Sequence, residues 1–400
     1  MRLSYIPAVL LAVLLFSAFS PMNADALTFD RLQIRPSLNF SAFYDDNVFA
    51  VNSDRTEDYY FIISPALLLK YGLTENKLEL EYRADIYRYV DTGDFNDVED
   101  QRVRASADLN FPGGLSIKVG DLLMRGHELR STENLAIVSQ SDLSRYWSND
   151  LNAEISYKLS ERFKAALGYE FYLIGYNLDV SKFQDNYRHQ ANVSVFYAFL
   201  PKTSALLQGT YSRVDHYNDN SPDSFRFDSN EYWVLAGLTW DITEKSTGTI
   251  KGGYEWKVFD SQDSNNFSSA IYMVSLDHKF TPKTSIRVSG LRQAQETDDP
   301  GVSFYTTTNG TVELVFMPVS KIEIKPRGSI SNNRYSGESL IAGDDARRVD
   351  TIATGGIDIL YHMNKWFTIG AGYKHSKRSS TITIYDYTDN TAMITLEAAI

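Results

Sequence analysis

Phe163–Phe171, FKAALGYEF, changes character at every residue. Phe163, Ala165, Leu167, Tyr169 and Phe171 fall on one side of an extended strand, and Lys164, Ala166, Gly168 and Glu170 fall on the other, because successive side chains of a strand point to opposite faces. A helix would mix the two sets. The same beat runs through Lys77–Tyr87, KLELEYRADIY, where Leu78, Leu80, Tyr82, Ala84 and Ile86 oppose Glu79, Glu81, Arg83 and Asp85. It returns in Lys321–Arg327, KIEIKPR. One face asks for an apolar medium and the other for water, with turn residues between the segments.

The alternation predicts eighteen strands, from 32–44 to 386–398, with sixteen as the alternative count. Their connections sort into two alternating kinds. Eight are short, among them Gly72–Asn76, Pro112–Gly114, Leu200–Lys202 and Thr243–Lys245. Nine are longer, polar and acidic, among them Asp45–Glu57, His127–Asp142, Asn218–Phe227 and Asn333–Ala346. An even strand number with short turns at one end and long loops at the other is the asymmetry of a transmembrane antiparallel up-and-down β-barrel of the bacterial outer membrane, short turns toward the periplasm.

The composition agrees. The 400 residues are 43% hydrophobic and 13% aromatic, with 26 Tyr and 22 Phe, and no linker or low-complexity tract divides them. A mean hydropathy of −0.30 excludes a bundle of membrane helices, whereas a strand-built membrane protein averages polar because its two faces nearly cancel. The absence of cysteine removes disulfides and thiolate metal sites. A net charge of −12, with no basic footprint in any segment, argues against a nucleic-acid partner. Residues 1–26 carry one Arg, an apolar run too short to span a membrane comfortably and the triplet Ala24-Asp25-Ala26, the parts of a cleaved signal peptide. The expected organisation is a leader at 1–26 and one barrel domain over 27–400.

A soluble sandwich would bury one face of every strand in a dry core. Here the second faces hold Glu79, Glu81, Arg83, Asp85, Lys164, Glu170, Lys251, Glu255, Lys257, Arg287, Glu323, Lys325 and Arg327 at mid-strand, charges that need water or partners. A wet lumen supplies both, so these thirteen are the candidate lumen lining, with an acidic stripe at Glu79, Glu81 and Asp85 opposing a basic one at Lys321, Lys325 and Arg327. Aromatics near strand ends, including Tyr59, Tyr60, Tyr71, Tyr87, Tyr89, Tyr176, Trp240, Phe259, Tyr305 and Tyr361, are expected to form girdles at the two membrane interfaces. Outer-membrane lipid is then the first partner.

Leu32–Phe49 reads LQIRPSLNFSAFYDDNVF. With Pro36, Leu38, Tyr44, Asp45, Asp46, Asn47, Val48 and Phe49 it resembles the opening of the beta-barrel porin 2 family, and Ser64-Pro65-Ala66-Leu67 is similar to that family's second-strand segment. The resemblance implies an outer-membrane conduit or accessory for exopolysaccharide export, with the polymer or periplasmic export components as partners. The chain departs from the barrel habit of a terminal aromatic, ending LEAAI at Ile400.

Asp45-Asp46-Asn47 offers three oxygen side chains, but adjacent residues of a strand cannot all aim at one ion, and capping of a turn is the favoured reading. The six histidines share no spacing, and His375-Ser376 point to opposite faces. Asp298-Asp299 and Asp344-Asp345 are neighbouring loop acids without the separation glycoside hydrolysis needs. Gly252-Gly253 and Gly355-Gly356 lie inside strand patterns and mark bends or close approach. No catalytic, cofactor or metal residues are assigned, and the expectation is not an enzyme. The function read from these features is a water-filled conduit. The alternatives are a non-conducting scaffold or adhesion barrel working through its external loops, and third a barrel enzyme.

Overall fold

The computed structural model describes residues 27–399 apart from 74, 129–142, 219–227, 244, 261–265, 298–301, 303 and 339–346. The expected leader lies outside the described residues. A short β1 (Leu27–Phe29) precedes β2 (Leu32–Asp45), β3 (Asp58–Leu73), β4 (Asn76–Tyr89), β5 (Val98–Asn110), β6 (Leu115–His127), β7 (Arg145–Lys158), β8 (Phe163–Tyr176) and β9 (Asn186–Leu200). Then follow β10 (Thr203–His216), β11 (Ser229–Thr243), β12 (Ser246–Phe259), β13 (Phe267–Thr281), β14 (Thr284–Glu296), β15 (Phe304–Val319), β16 (Ile322–Glu338), β17 (Arg347–His362), β18 (Phe367–Ser380) and β19 (Tyr387–Ala399).

From β2 to β19 every strand pairs antiparallel with its sequence neighbour, and β19 closes on β2 from Thr391↔Asp45 to Ala399↔Ser37. Eighteen strands therefore form a ring with no open edge, which is the condition for strands to lie in lipid. The closing pair stops at Ser37, leaving the first residues of β2 with one bare side. β1 covers them, with Leu27 opposite Ile34 and Phe29 opposite Leu32. Sequence reasoning missed this strand because three residues carry no readable alternation.

Residues directly opposite on antiparallel strands share a face, so the register carries facing around the ring. Ala166, buried in β8, pairs with buried Ser194 in β9 and with buried Ser156 in β7. Between them in sequence stand Leu167 (55% exposed) and Val193 (55%), which pair with each other on the opposite face. Followed from pair to pair, that exposed face gathers Leu207, Val234, Ile250, Val312, Ile357 and Ile394 into one belt. The concave face, where side chains converge, holds the mid-strand charges named above, whereas Asp121 of β6, opposite Ala105 and Leu151, stands on the outer face.

Two local features follow from glycine. Gly113 and Gly114 both have φ of 87°, and they turn β5 into β6 with Phe111 N–H donating to Leu115 O at 2.9 Å. Only glycine adopts two such residues in succession without strain. Gly253 pairs with Leu235, and a Cβ there would fall 1.8 Å from the Val234 carbonyl oxygen. Close approach of backbones is what the Gly252-Gly253 pattern foretold, whereas a Cβ at Gly355 would meet nothing within 4 Å.

Two expectations need correction. The loop expected at Asn333–Ala346 is shorter, because β16 continues to Glu338. The polar run Ser331–Arg334 hides that extension, since Asn332 lies opposite Thr351 and Asn333 opposite Asp350, polar on both faces. The girdle expectation fails for Tyr60, Tyr87, Tyr89, Tyr176, Phe259 and Tyr305, which the register sets on the inner face. Strand ends attract aromatics on either side of the sheet, and position along the strand alone does not say which.

Candidate functional site: the inner wall of the barrel

All thirteen charged residues singled out from the sequence fall on the inner face. Glu79 and Arg83 lie opposite Lys70 and Ala66, Lys164 and Glu170 share the face of Ala166, and Glu255 and Lys257 share that of Gly253. Arg287 pairs with Asp277 and Glu313, and Glu313 with Arg327, on the face that Glu323 and Lys325 also share.

The stripes expected from the sequence dissolve into pairs. Glu79 meets Lys70 at 2.8 Å, and Asp85 takes Arg83 at 2.8 Å with Arg102 at 3.9 Å. Arg287 meets Asp277 at 2.7 Å, Lys325 meets Glu323 at 3.1 Å, and Arg327 meets Asp358 at 3.1 Å. Lys251 donates to Gln208 at 2.9 Å, while Lys164 stands 4.4 Å over the Phe196 ring. Lys257, 4% exposed, donates to Glu231 at 2.7 Å. Arg83–Asp85 and Glu323–Lys325 stand two residues apart on one strand, whereas the other partners lie one or two strands away, where chain order does not show them. The wall carries both signs of charge, many of them beside an opposite charge, with Lys164, Lys251 and Glu255 held instead by a ring, an amide and a backbone N–H.

One side of the wall is doubled. β13 and β14 pair only as far as Tyr272↔Arg292, although β13 begins at Phe267 and β14 runs on to Glu296. Past that point the end of β14 leans over the inner face of its neighbours. Ala294 N–H donates to the Glu255 carboxylate on β12 at 2.9 Å, and Phe304 at the start of β15 meets Phe267 (4.2 Å between ring centroids) and Phe259 (6.4 Å). Arg292 plugs the parted seam by donating Nε–H to Ala270 O at 3.1 Å. Glu255 (3% exposed) and Ile271 (2%) are buried beneath the fold. Glu255 thus supplies the acceptor that the missing ladder withholds.

At the long-loop end the YDDNVF motif resolves into caps. Asp45 accepts from Asn47 N–H at 2.8 Å, and Asp46 accepts from both the backbone and the side-chain N–H of Asn390 at 2.7 Å. The Asn47 amide donates to Val51 O (2.8 Å) and Thr388 O (2.9 Å) and accepts from Val51 N–H (3.0 Å). Asn47, Val48 and Phe49 are buried. The motif therefore pins the first long loop to the strand that closes the ring. Asp45, Asp46 and Asp389 bring carboxylate oxygens within 4.8 Å of one another, and Asp389 also pairs with Lys374 at 3.1 Å. The sequence did not suggest Asp389, which arrives from the far end of the chain. Pro36, Leu38 and Tyr44 stand on the outer face of β2, by their pairing with Leu67, Pro65 and Tyr59.

A closed, even-numbered antiparallel ring with an apolar belt outside and paired charges inside is an outer-membrane β-barrel of the porin type. The chain belongs to the family described as Putative beta-barrel porin 2, whose model matches residues 31–400. Among solved structures it is similar to the outer membrane protein OpdK from Pseudomonas aeruginosa, with a TM-score of 0.51 and 7% identity, covering 92% of this chain and 99% of that one. It is also similar to a BenF-like porin from Pseudomonas fluorescens Pf-5 (TM-score 0.49, 10% identity, 93% of this chain and 100% of that one). OccAB4 of Acinetobacter baumannii gives a TM-score of 0.47 and 11% identity over 92% and 98%. At such identities the likeness to OpdK shows the fold. No curated protein matches the chain.

Proposed function

We propose that the chain forms a water-filled conduit through the outer membrane, its apolar belt in lipid and its long loops outside, and that exopolysaccharide export is its specialisation. The observation that carries the conduit is the size of the closed ring. Eighteen strands spaced about 4.8 Å apart and tilted about 40° close a circle roughly 35 Å across between backbones, wider than side chains from opposite walls can fill. The export specialisation draws on the family and on the paired wall, because a polymer passes most freely where no uncompensated charge holds it. A planar-bilayer recording on the refolded protein tests the conduit: stepwise currents are expected, and silent insertion would overturn it. Loss of polymer secretion on deleting the gene in a producing strain, restored by the intact chain, tests the specialisation.

A further inference from the structure

The leaning end of β14 and the stretch of wall from β8 to β11 line a cavity of about 350 Å3. That volume lies within the ~300–1,000 Å3 range of small-molecule sites. Gln293 and Gln295 line one side, and Tyr172, Arg188, Glu231 and Trp233 line the other. The strand end reaches the cavity because β14 leaves β13 at Arg292 and is tied to Glu255, and Gln184 from the connection between β8 and β9 adds to the lining.

Its lining mixes flat apolar surfaces with planar polar groups. Trp233 pairs with Glu255 and Thr210, which sets its indole on the inner face, whereas Trp147, Trp240 and Trp256 belong to the outer one. Arg188 stacks its guanidinium 5.4 Å from the Tyr172 ring, and its Nε is buried without a hydrogen-bond partner. Charge decides between ligand classes. Arg188 is already neutralised by Glu170 at 2.5 Å and Glu231 by Lys257, so an anion would find no net attraction here. A neutral polyol finds ring faces for its C–H surfaces and amide, guanidinium and carboxylate groups for its hydroxyls.

We propose that this cavity is a saccharide-binding subsite inside the barrel, with Trp233 and Tyr172 stacking against a sugar ring and Arg188 and Gln293 bonding its hydroxyls. The assignment deepens the export reading and rests on it for the sugar's route through the ring. Glu255 is a positioning residue, holding the strand end that completes the site.

The test uses the full chain refolded in liposomes, titrated with neutral malto- and cello-oligosaccharides while tryptophan fluorescence is read. A saturable change is expected that vanishes in Trp233→Phe and persists in Trp256→Phe. Tyr172→Ala and Gln293→Ala, each checked for a folded barrel by circular dichroism, should weaken binding about ten-fold, equal to about 1.4 kcal/mol. Glu255→Ala should weaken it with the Trp233 signal retained at saturation. No saturable change with either sugar series, the same change in Trp233→Phe, or tighter binding of benzoate than of any sugar would overturn the subsite. Bilayer recordings separate the two readings. Open currents that sugars never interrupt would sink the subsite and leave the conduit, and a saturable Trp233 signal in a protein that passes no current would keep the subsite and sink the conduit.

Discussion

Asn47 is one of the residues through which the two ends of the chain hold each other. Its amide makes three hydrogen bonds inside a buried turn, two with Val51 of its own loop and one to Thr388 at the start of the closing strand. Burying an amide is tolerable only while its donors and acceptor are matched, and unmatching one costs roughly 1–3 kcal/mol. Asn47→Ala should therefore lower the stability of the refolded barrel by about that amount in a urea titration, and Asn47→Asp, which keeps the acceptor and loses both donations, should be destabilising too. A variant as stable as the parent would show that the family motif serves something other than the closure. Gly253 makes a different kind of demand. An alanine there must push the backbones of β11 and β12 apart, at a cost of about 1–3 kcal/mol, whereas Gly355→Ala enters open space and should be close to neutral.

Leu167 stands on the belt and Gly168 on the inner face one residue later. Leu167→Arg sets a charge in hydrocarbon and should cost roughly 2–4 kcal/mol near the middle of the bilayer. Gly168→Arg displaces only the end of the Asn192 side chain and should cost much less. Equal losses in a lipid refolding assay would overturn the register. Strands were legible because alternation is local: FKAALGYEF declares both faces without help from any other segment. What alternation cannot show is which strand ends part company. Nothing in Gln293–Glu296 distinguishes it from an ordinary strand end, and its lean depends on Glu255, some forty residues earlier. The cross-strand pairs escaped for the same reason, since Lys70 and Asp358 neutralise residues whose strands, not positions, are adjacent. Inner aromatics such as Tyr60 and Tyr89, stacked at 4.6 Å, were misplaced because ring content near a strand end is the same for a girdle and a lumen.

For the molecule as a whole, orientation and passage are linked, because a conduit is useful only if its two mouths open on the right compartments. The chain contains no cysteine, so single thiols can be placed at will. Ile384, 63% exposed in the short 3-10 turn Thr383–Tyr385 between β18 and β19, lies at the long-loop end, and Lys202 lies in the tight turn between β9 and β10 at the other. A membrane-impermeant maleimide on intact cells should label Ile384→Cys and spare Lys202→Cys, and the opposite pattern would invert the barrel. Passage then depends on what the ring contains. The inner wall carries both signs, many of them in ion pairs, which predicts a pore of weak ion selectivity whose conductance rises nearly in proportion to salt. The leaning end of β14 narrows one side of the lumen without reaching across a ring roughly 35 Å wide. Removing its tether by Glu255→Ala should therefore change the current by a modest fraction, leaving the channel open before and after. A channel that conducts only in that variant would show instead that this strand end is the gate.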